Sequence, residues 1–172
     1  MKQRINFFLN NYSCSLKRIY FGIVDDEEEQ EKPASLDLNL SNEKNWNCKV
    51  NNPQEKIINF YPLDKVISLF ENDGNEAKCC DAMLEVNKEQ LVFIELKNRR
   101  KLKVALNDAV EQLKSSIKFF KDNHNVNEWS RLEAYVANRK HPSFAYFHKD
   151  ICQKFKADTG FRLFIMWQVN IK

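Results

Sequence analysis

Two hydrophobic periodicities alternate along the last two thirds of the chain. Residues 104–120 place apolar side chains at steps of three and four, which predicts an amphipathic helix. Residues 80–86 and 91–96 are short apolar runs joined by a polar stretch, which predicts a β-hairpin. Every odd position of 161–171 is apolar, which predicts one long final strand.

The remaining elements complete an alternating order. Pro62 suits the first position of a helix, and the apolar residues between it and Gly74 predict one helical face. Residues 131–136 predict a strand, and 147–157 predict a helix that Gly160 ends. From residue 62 onward the predicted order is therefore α-β-β-α-β-α-β, and its strand–helix–strand units imply parallel pairs with crossover helices.

The first 61 residues predict a different, β-rich organisation. Short strand patterns lie at 17–24, 36–40 and 46–50, and the acidic run 25–31 predicts a solvated loop. The length of 172 residues fits one domain. We therefore expect a single domain over 1–172, with an irregular, β-rich N-terminal extension at 1–61 and a core at 62–172.

Composition excludes several classes of protein. With 27 basic and 24 acidic residues the net charge is only +3, unlike a histone-like protein or an acidic disordered chain. The three glycines lie far apart, so no glycine-rich phosphate loop can form. Five cysteines without a CxxC pair argue against a zinc ribbon and a disulfide scaffold, and predict thiols in a reducing cytoplasm. No apolar stretch approaches the length of a membrane span.

The small net charge hides an asymmetry. Six of the 24 acidic residues lie in 25–31, so the rest of the chain holds 27 basic against 18 acidic residues. Five of those basic residues fall within 97–103. Taken alone, such a cluster is a solvated loop, but beside a carboxylate site it suits a phosphate backbone.

The hairpin carries the chemistry, and its register decides which side chains meet. A three-residue loop at 87–89 pairs Val86 with Gln90 and sets Asp81 opposite Glu95, whereas a two-residue turn sends Asp81 to the other face. The hydrophobic pattern favours the first register, because one face is then wholly apolar. The opposite face carries the polar set Asp81, Glu85, Glu95 and Lys97.

Two converging carboxylates repel each other unless a cation lies between them. Mg²⁺ suits such a pair, because it typically binds one or two carboxylates and keeps several waters. Lys97 beside the ion could orient a water or stabilise developing negative charge. The alternative is a solvated strand face on which Glu95 and Lys97 form cross-strand ion pairs with Asp81 or Glu85.

Asp81 followed by Glu95-Leu96-Lys97 resembles the bipartite motif of the PD-(D/E)xK nuclease superfamily, over about residues 62–172. The resemblance implies an α/β, restriction-endonuclease-like core, in which a central mixed β-sheet is flanked by helices. It implies Mg²⁺- or Mn²⁺-dependent hydrolysis of phosphodiester bonds. Asp81, Glu95 and the carbonyl of Leu96 would then hold the metal, and Lys97 would orient the attacking water.

Two further residues match by position within the same family. Gln112 lies on the helix after the motif, where several branches carry a supporting Gln, and Glu71 is the candidate carboxylate of the first helix, with Asp64 behind it. The chain departs from the family pattern in having Cys80 where Pro is common. Ser116 stands where a Gln-xxx-Tyr branch has Tyr, so no branch is assigned.

The resemblance also implies a ligand and partners. We expect DNA, favoured over RNA, to contact the basic residues Arg99, Arg100, Lys101 and Lys103, and we expect no membrane. Nucleases of this fold often pair, so a homodimer or a larger defence or repair complex is the expected assembly. Two alternatives stay open: an inactive nuclease-like module that binds nucleic acid or protein, and an immunity protein whose acidic loop at 25–31 engages a basic toxin.

Overall fold

The computed structural model describes residues 4–25, 31–97, 102–139 and 148–172, with the backbone alone for 102–104. Ten strands, two α-helices and two short 3-10 helices occur in these ranges. The strands are β1 Cys14–Leu16, β2 Tyr20–Val24, β3 Ser35–Asp37, β4 Cys48–Asn51, β5 Ile58–Pro62, β6 Ala82–Val86, β7 Gln90–Lys97, β8 Arg131–Asn138, β9 Arg162–Ile165 and β10 Gln168–Asn170. The helices are α1 Leu102–Asn123 and α2 Lys149–Thr159, and the 3-10 helices are Leu40–Asn45 and Val126–Glu128.

The strands form two sheets. The larger has six strands in the order β1-β5-β6-β7-β8-β9, and the smaller has four in the order β10-β4-β2-β3. The larger sheet is mixed, because β1, β5, β6 and β7 pair antiparallel whereas β7, β8 and β9 pair parallel. Helices α1 and α2 are the crossovers of the two parallel pairs. The expected α/β fold with a central mixed sheet is confirmed.

The larger sheet is covered on both faces. On one face, Met83, Leu91 and Phe93 pack with apolar residues of α1 and with Phe155 of α2. The other face packs on the smaller sheet. It carries the apolar set predicted from the hairpin register, which is Ala82, Leu84, Val86, Val92, Ile94 and Leu96. The result is a layer of helices, a central sheet and a second, smaller sheet.

The hairpin has the predicted register. Val86 pairs with Gln90 and Ala82 with Ile94, so the connection is the three-residue loop at 87–89. Asn87 and Lys88 there have positive φ values of 43° and 57°, which lets the chain reverse within three residues. This register places Asp81 across from Glu95, on the face that α1 covers.

The helix predicted after Pro62 is wrong. Strand β5 ends at Pro62, which pairs with Ala82, and turns follow it. The Leu63 N–H donates to the Asp81 carbonyl at 2.9 Å, so the segment extends the edge of the hairpin. Phe70, expected on the apolar face, is exposed and forms an isolated bridge with Glu76. Further along, the N–H groups of Glu71 and Ala77 donate to the Asn75 and Leu69 carbonyls, so a local turn and bridge satisfy backbone groups that a helix would have paired.

The single final strand is also wrong, although its alternation is real. The chain leaves the larger sheet after β9 and enters the smaller one as β10. Phe161, Leu163 and Ile165 therefore face the helices, whereas Val169 and Ile171 lie in the core between the sheets. A period of two describes each strand equally well and cannot show the change of sheet.

Other predicted elements are confirmed with small changes. The patterns at 17–24 and 46–50 correspond to β2 and β4, but 36–40 yields only the short β3 before a 3-10 helix. Gly160 ends α2 with a φ of 84°, a left-handed conformation that favours glycine. Residues 26–30 of the acidic run and residue 147 lie outside the described residues. In the ranges described, no helix has the length and apolarity needed to cross a membrane.

Candidate active site

The hairpin brings two carboxylates and a lysine to one end of the central sheet. Asp81 immediately precedes β6, and Glu95 and Lys97 lie two residues apart at the end of β7. Asp81 is fixed there, because its Oδ2 accepts a 2.6 Å hydrogen bond from the Leu96 N–H. Glu95 and Lys97 share a face, as residues two apart in a strand must.

Glu95 is the most buried charged group of this cluster. It is 1% exposed, and its Oε1 lies 2.6 Å from the Lys97 ammonium. Its Oε2 is buried and has no hydrogen-bond partner within the described part of the chain. An ionised carboxylate oxygen left in this state is costly, and a buried acceptor usually has a partner. The geometry therefore leaves one acceptor oxygen available to a ligand.

Burial raises the pKa of both carboxyl groups. Loss of solvent raises the pKa of Asp81 to about 7, against the lowering effect of the Leu96 N–H. The pKa of Glu95 lies well above its usual range because of burial and the nearby charge of Asp81. Lys97 has the opposite balance, since burial lowers its pKa but the charges of Glu95 and Asp81 outweigh it and raise the pKa overall. Strongly perturbed groups at one sheet end are typical of functional sites.

Gln112 joins this cluster from α1. Its Oε1 accepts from the Lys97 ammonium at 3.0 Å, and its Nε2 donates to the Cys79 carbonyl at 3.3 Å. The second contact fixes the orientation of the amide, so that the oxygen rather than the nitrogen faces Lys97. The structure thus brings together Asp81, Glu95, Lys97 and Gln112.

Glu71 lies elsewhere, because the helix expected to carry it does not form. Its carboxylate pairs with Lys118 at 2.9 Å, and both side chains are largely exposed. Asp64, the second candidate carboxylate of that predicted helix, acts electrostatically on the site instead. Its charge raises the pKa of both Asp81 and Glu95.

Two neighbours of the site were not singled out from the sequence. The charge of Asp25, at the end of β2, also raises the pKa of Asp81, but in the sequence Asp25 is only the first residue of an acidic run. Asp108 of α1 lies 3.6 Å from the Lys97 ammonium and 2.6 Å from that of Lys78. Its position four residues before Gln112, on the same helical face, was the available signal.

Cys79 and Cys80 are buried free thiols, as predicted. Burial raises the pKa of Cys79 to about 12 and that of Cys80 well above its usual value, so neither forms a reactive thiolate at neutral pH. The backbone N–H of Cys80 donates to Ser116 Oγ at 2.8 Å. Ser116 stands where the Gln-xxx-Tyr branch has a tyrosine, and here its hydroxyl connects α1 to the start of the hairpin.

The predicted nucleic-acid contacts fall outside the described residues or their described side chains. Arg99, Arg100 and Lys101 lie outside the described residues, and so does the side chain of Lys103. Their positions in the sequence, between β7 and the first turn of α1, put them directly after Lys97. Their role stays a prediction.

A small oxygen-binding cation fits the donors at this site. The described residues contain no group of three or more His, Cys, Asp and Glu side chains that could hold a metal. Mg²⁺ does not require such a group, because it is commonly bound by one or two carboxylates together with water. Asp81 and Glu95 provide two carboxylates, and Glu95 Oε2 lacks another partner.

The fold and the site together define an α/β domain with an acidic pair and a lysine at the end of its central sheet. The family model for the N terminus of the type I restriction enzyme R protein matches residues 21–155, from β2 into α2. The chain belongs to this family and is a restriction-enzyme-related domain. No curated protein and no solved structure matched the chain.

Proposed function

We propose that this domain is a metal-dependent nuclease that hydrolyses phosphodiester bonds in DNA. The observation that carries the proposal is Glu95 Oε2, a buried acceptor without a hydrogen-bond partner in the described ranges, next to Asp81 and Lys97. Membership of a restriction-enzyme family supports a DNA-related role.

The proposed metal is Mg²⁺ or Mn²⁺, held by Asp81, Glu95 and the carbonyl of Leu96. When bound, such an ion polarises a phosphoryl oxygen and lowers the pKa of a coordinated water. The Leu96 N–H keeps Asp81 at the strand end through its 2.6 Å bond. Burial raises the pKa of both carboxyl groups, because two adjacent negative charges are unfavourable there unless a cation compensates them.

Lys97 is the proposed catalytic cation. Its ammonium is only partly exposed and is held by Glu95 at 2.6 Å and Gln112 at 3.0 Å. A fixed positive charge there would orient the attacking water and stabilise the negative charge that develops on phosphorus-bound oxygens. Gln112 supports it by providing the second acceptor.

DNA is the proposed substrate, and the basic residues from the end of β7 to the first turn of α1 are its proposed contacts. Neutralising backbone phosphates with Arg99, Arg100, Lys101 and Lys103 would make binding weaken as salt increases. The family name indicates one subunit of a restriction enzyme. We therefore propose that the domain acts within a larger defence complex and not as an isolated homodimer.

The test is cleavage of circular plasmid DNA by the full chain with Mg²⁺ or Mn²⁺. We expect Lys97→Met to reduce the rate by about a hundredfold or more, since removing one group that stabilises developing charge costs on that order. Lys118→Met is the matched control, because it removes a lysine whose partner is Glu71, away from the site. Equal cleavage by the Lys97 variant and the wild type would refute the assignment. Salt-dependent DNA binding without any cleavage would favour the inactive binding module.

A further inference from the structure

Asp108 and Gln112 lie one helical turn apart on α1, and both face the end of β7. Gln112 contacts Lys97 by a hydrogen bond of 3.0 Å, and Asp108 lies 3.6 Å from the same ammonium. The Lys97 ammonium therefore has two partners from the helix, the hydrogen-bond acceptor Gln112 and the ion-pair partner Asp108. It has one, Glu95, from its own strand. The strand partner is also a proposed metal ligand, whereas the helix partners are not.

This difference matters because a cation and Lys97 would compete for the same carboxylate. Glu95 Oε1 holds Lys97 at 2.6 Å, and a divalent ion at Glu95 would weaken that attraction by its own charge. The ammonium then needs other acceptors to stay near the reacting phosphate. Gln112 offers a neutral oxygen, whereas Asp108 is the helix partner that carries a full negative charge.

A second lysine competes for Asp108. Lys78 lies 2.6 Å from Asp108 Oδ1, while Lys97 lies 3.6 Å from Oδ2. The Lys78 side chain is 57% exposed, and that of Lys97 is 16% exposed. Asp108 is itself 47% exposed, so water weakens both of its ion pairs. Lys78 is its closer partner, and removing Lys78 would leave the carboxylate to Lys97.

We infer that Asp108 is a positioning residue that retains the Lys97 ammonium at the site through the charge of its carboxylate. The inference rests on the proposed nuclease function, because it assigns Asp108 a role through Lys97. It adds a residue that neither the motif nor the family match assigns. Asp108 acts from the helix and does not touch substrate.

The experiment compares Asp108→Asn, Asp108→Glu and Lys78→Met in the full chain by two readouts. The first is the rate of reductive methylation at each lysine without metal, resolved by peptide mass spectrometry. We expect Asp108→Asn to speed methylation at Lys97 about two- to fivefold, in line with loss of a partly exposed ion pair. Methylation at Lys49, which pairs with Glu43 at 2.6 Å, is the internal reference and stays constant. Asp108→Glu restores the slow rate at Lys97.

The second readout is DNA cleavage with Mg²⁺ under single-turnover and steady-state conditions. We expect Asp108→Asn to lower kcat two- to tenfold with KM unchanged, Asp108→Glu to recover most of it, and Lys78→Met to keep at least the wild-type kcat. Equal losses in the Asp108→Asn and Lys78→Met variants would overturn the inference, since both break the same surface pair. Unchanged methylation at Lys97 in Asp108→Asn would also overturn it. Absence of cleavage by the wild type would refute the nuclease proposal alone, and the methylation readout would still decide on Asp108.

Discussion

At the scale of single residues, Asp81 and Glu95 are expensive when ionised. Each lies almost wholly out of solvent, and this burial raises the pKa of both. The charge of Asp81 further raises the pKa of Glu95, and the charges of Asp25 and Asp64 further raise the pKa of Asp81. With 1.36 kcal/mol for each unit of pKa, a carboxyl group moved to about 7 opposes folding of the ionised form by about 4 kcal/mol. Destabilising charges of this size are retained where a site needs them.

Asp81→Asn should therefore stabilise the metal-free chain at high pH. An ordinary Asp ionises near pH 4 when unfolded, whereas folded Asp81 keeps its proton up to a pH of about 7. Between these values the folded chain holds a proton that the unfolded chain has lost, so the free energy of unfolding falls as pH rises. Asn can still accept from the Leu96 N–H. We expect a gain of up to roughly 4 kcal/mol at pH 8 and almost none at pH 4 in urea denaturation.

The matched control is Asp73→Asn. Asp73 is exposed, and the backbone N–H of Asn75 lowers the pKa of its carboxyl group. This variant should show no gain at pH 8. A loss of stability in Asp81→Asn at that pH would contradict burial as the dominant influence on Asp81.

At the scale of elements, the site depends on how α1 docks against the hairpin. Ser116 is fully buried, and its Oγ accepts from the Cys80 N–H at 2.8 Å and donates to the Gln112 carbonyl at 3.1 Å. Cys80 directly precedes Asp81. One hydroxyl therefore fixes the helix turn that holds Gln112 relative to the residue that precedes Asp81.

Ser116→Ala should destabilise the chain by about 1–3 kcal/mol, because it leaves the buried Cys80 N–H without an acceptor. The neighbouring Ser115→Ala is a close control, since the buried Ser115 Oγ has no hydrogen-bond partner in the described ranges and its loss should cost nothing. Thermal denaturation of both variants measures the difference. Similar losses in the two would show that helix packing, and not the bond to Cys80, accounts for the effect.

At the scale of the whole molecule, both ends of the chain cross between the sheets. Strand β1 pairs with β5 in the larger sheet although β2 follows it in the smaller one, and β10 joins β4 after β9 has paired with β8. Gln90 reinforces the second crossing, because its Nε2 donates to Glu133 at 2.8 Å and to the Asn170 carbonyl at 3.1 Å. Neither sheet is built from one continuous stretch of sequence.

We therefore expect one cooperative unfolding transition for the two sheets. Trp46 is fully buried against Gly22 of the smaller sheet, and Trp129 is buried in the core under the helices. Two variants report each region by fluorescence. One keeps Trp46 and the other keeps Trp129, and in each the remaining two of Trp46, Trp129 and Trp167 are changed to Phe. In each variant the fluorescence and far-ultraviolet circular dichroism transitions should coincide. Earlier loss of the Trp46 signal than of the dichroism would show that the smaller sheet unfolds separately.

Local pattern was sufficient where neighbours in sequence are also neighbours in space. The apolar pattern of the hairpin predicted its register, because a slip of one residue would carry Asp81 to the apolar face, which packs on the smaller sheet. That register set Asp81 opposite Glu95, on the face that also carries Lys97. Gln112 was predicted from the family resemblance and not from spacing, and its Oε1 lies 3.0 Å from the Lys97 ammonium.

Pattern failed where a distant strand decided the outcome. The apolar residues after Pro62 have helical spacing, but β5 pairs with β6 and the chain turns instead. Because no helix forms there, Glu71 pairs with Lys118 away from the site. Asp64 is the acid of this segment whose charge raises the pKa of Asp81. The alternation of 161–171 is compatible with one strand or two, so the change of sheet at residues 166–167 was invisible.

The sequence by itself determined the α/β class, the hairpin register and the acidic pair with its lysine, because these follow from periodicity over a few residues. Tertiary structure decided which groups surround that pair. Asp25 follows β2, Asp64 lies in a turn and Asp108 lies on α1, and long-range packing alone sets their distance from Lys97 and Asp81. It also decided the electrostatics, since the raised pKa values arise from burial between layers, a property that no short stretch of sequence contains.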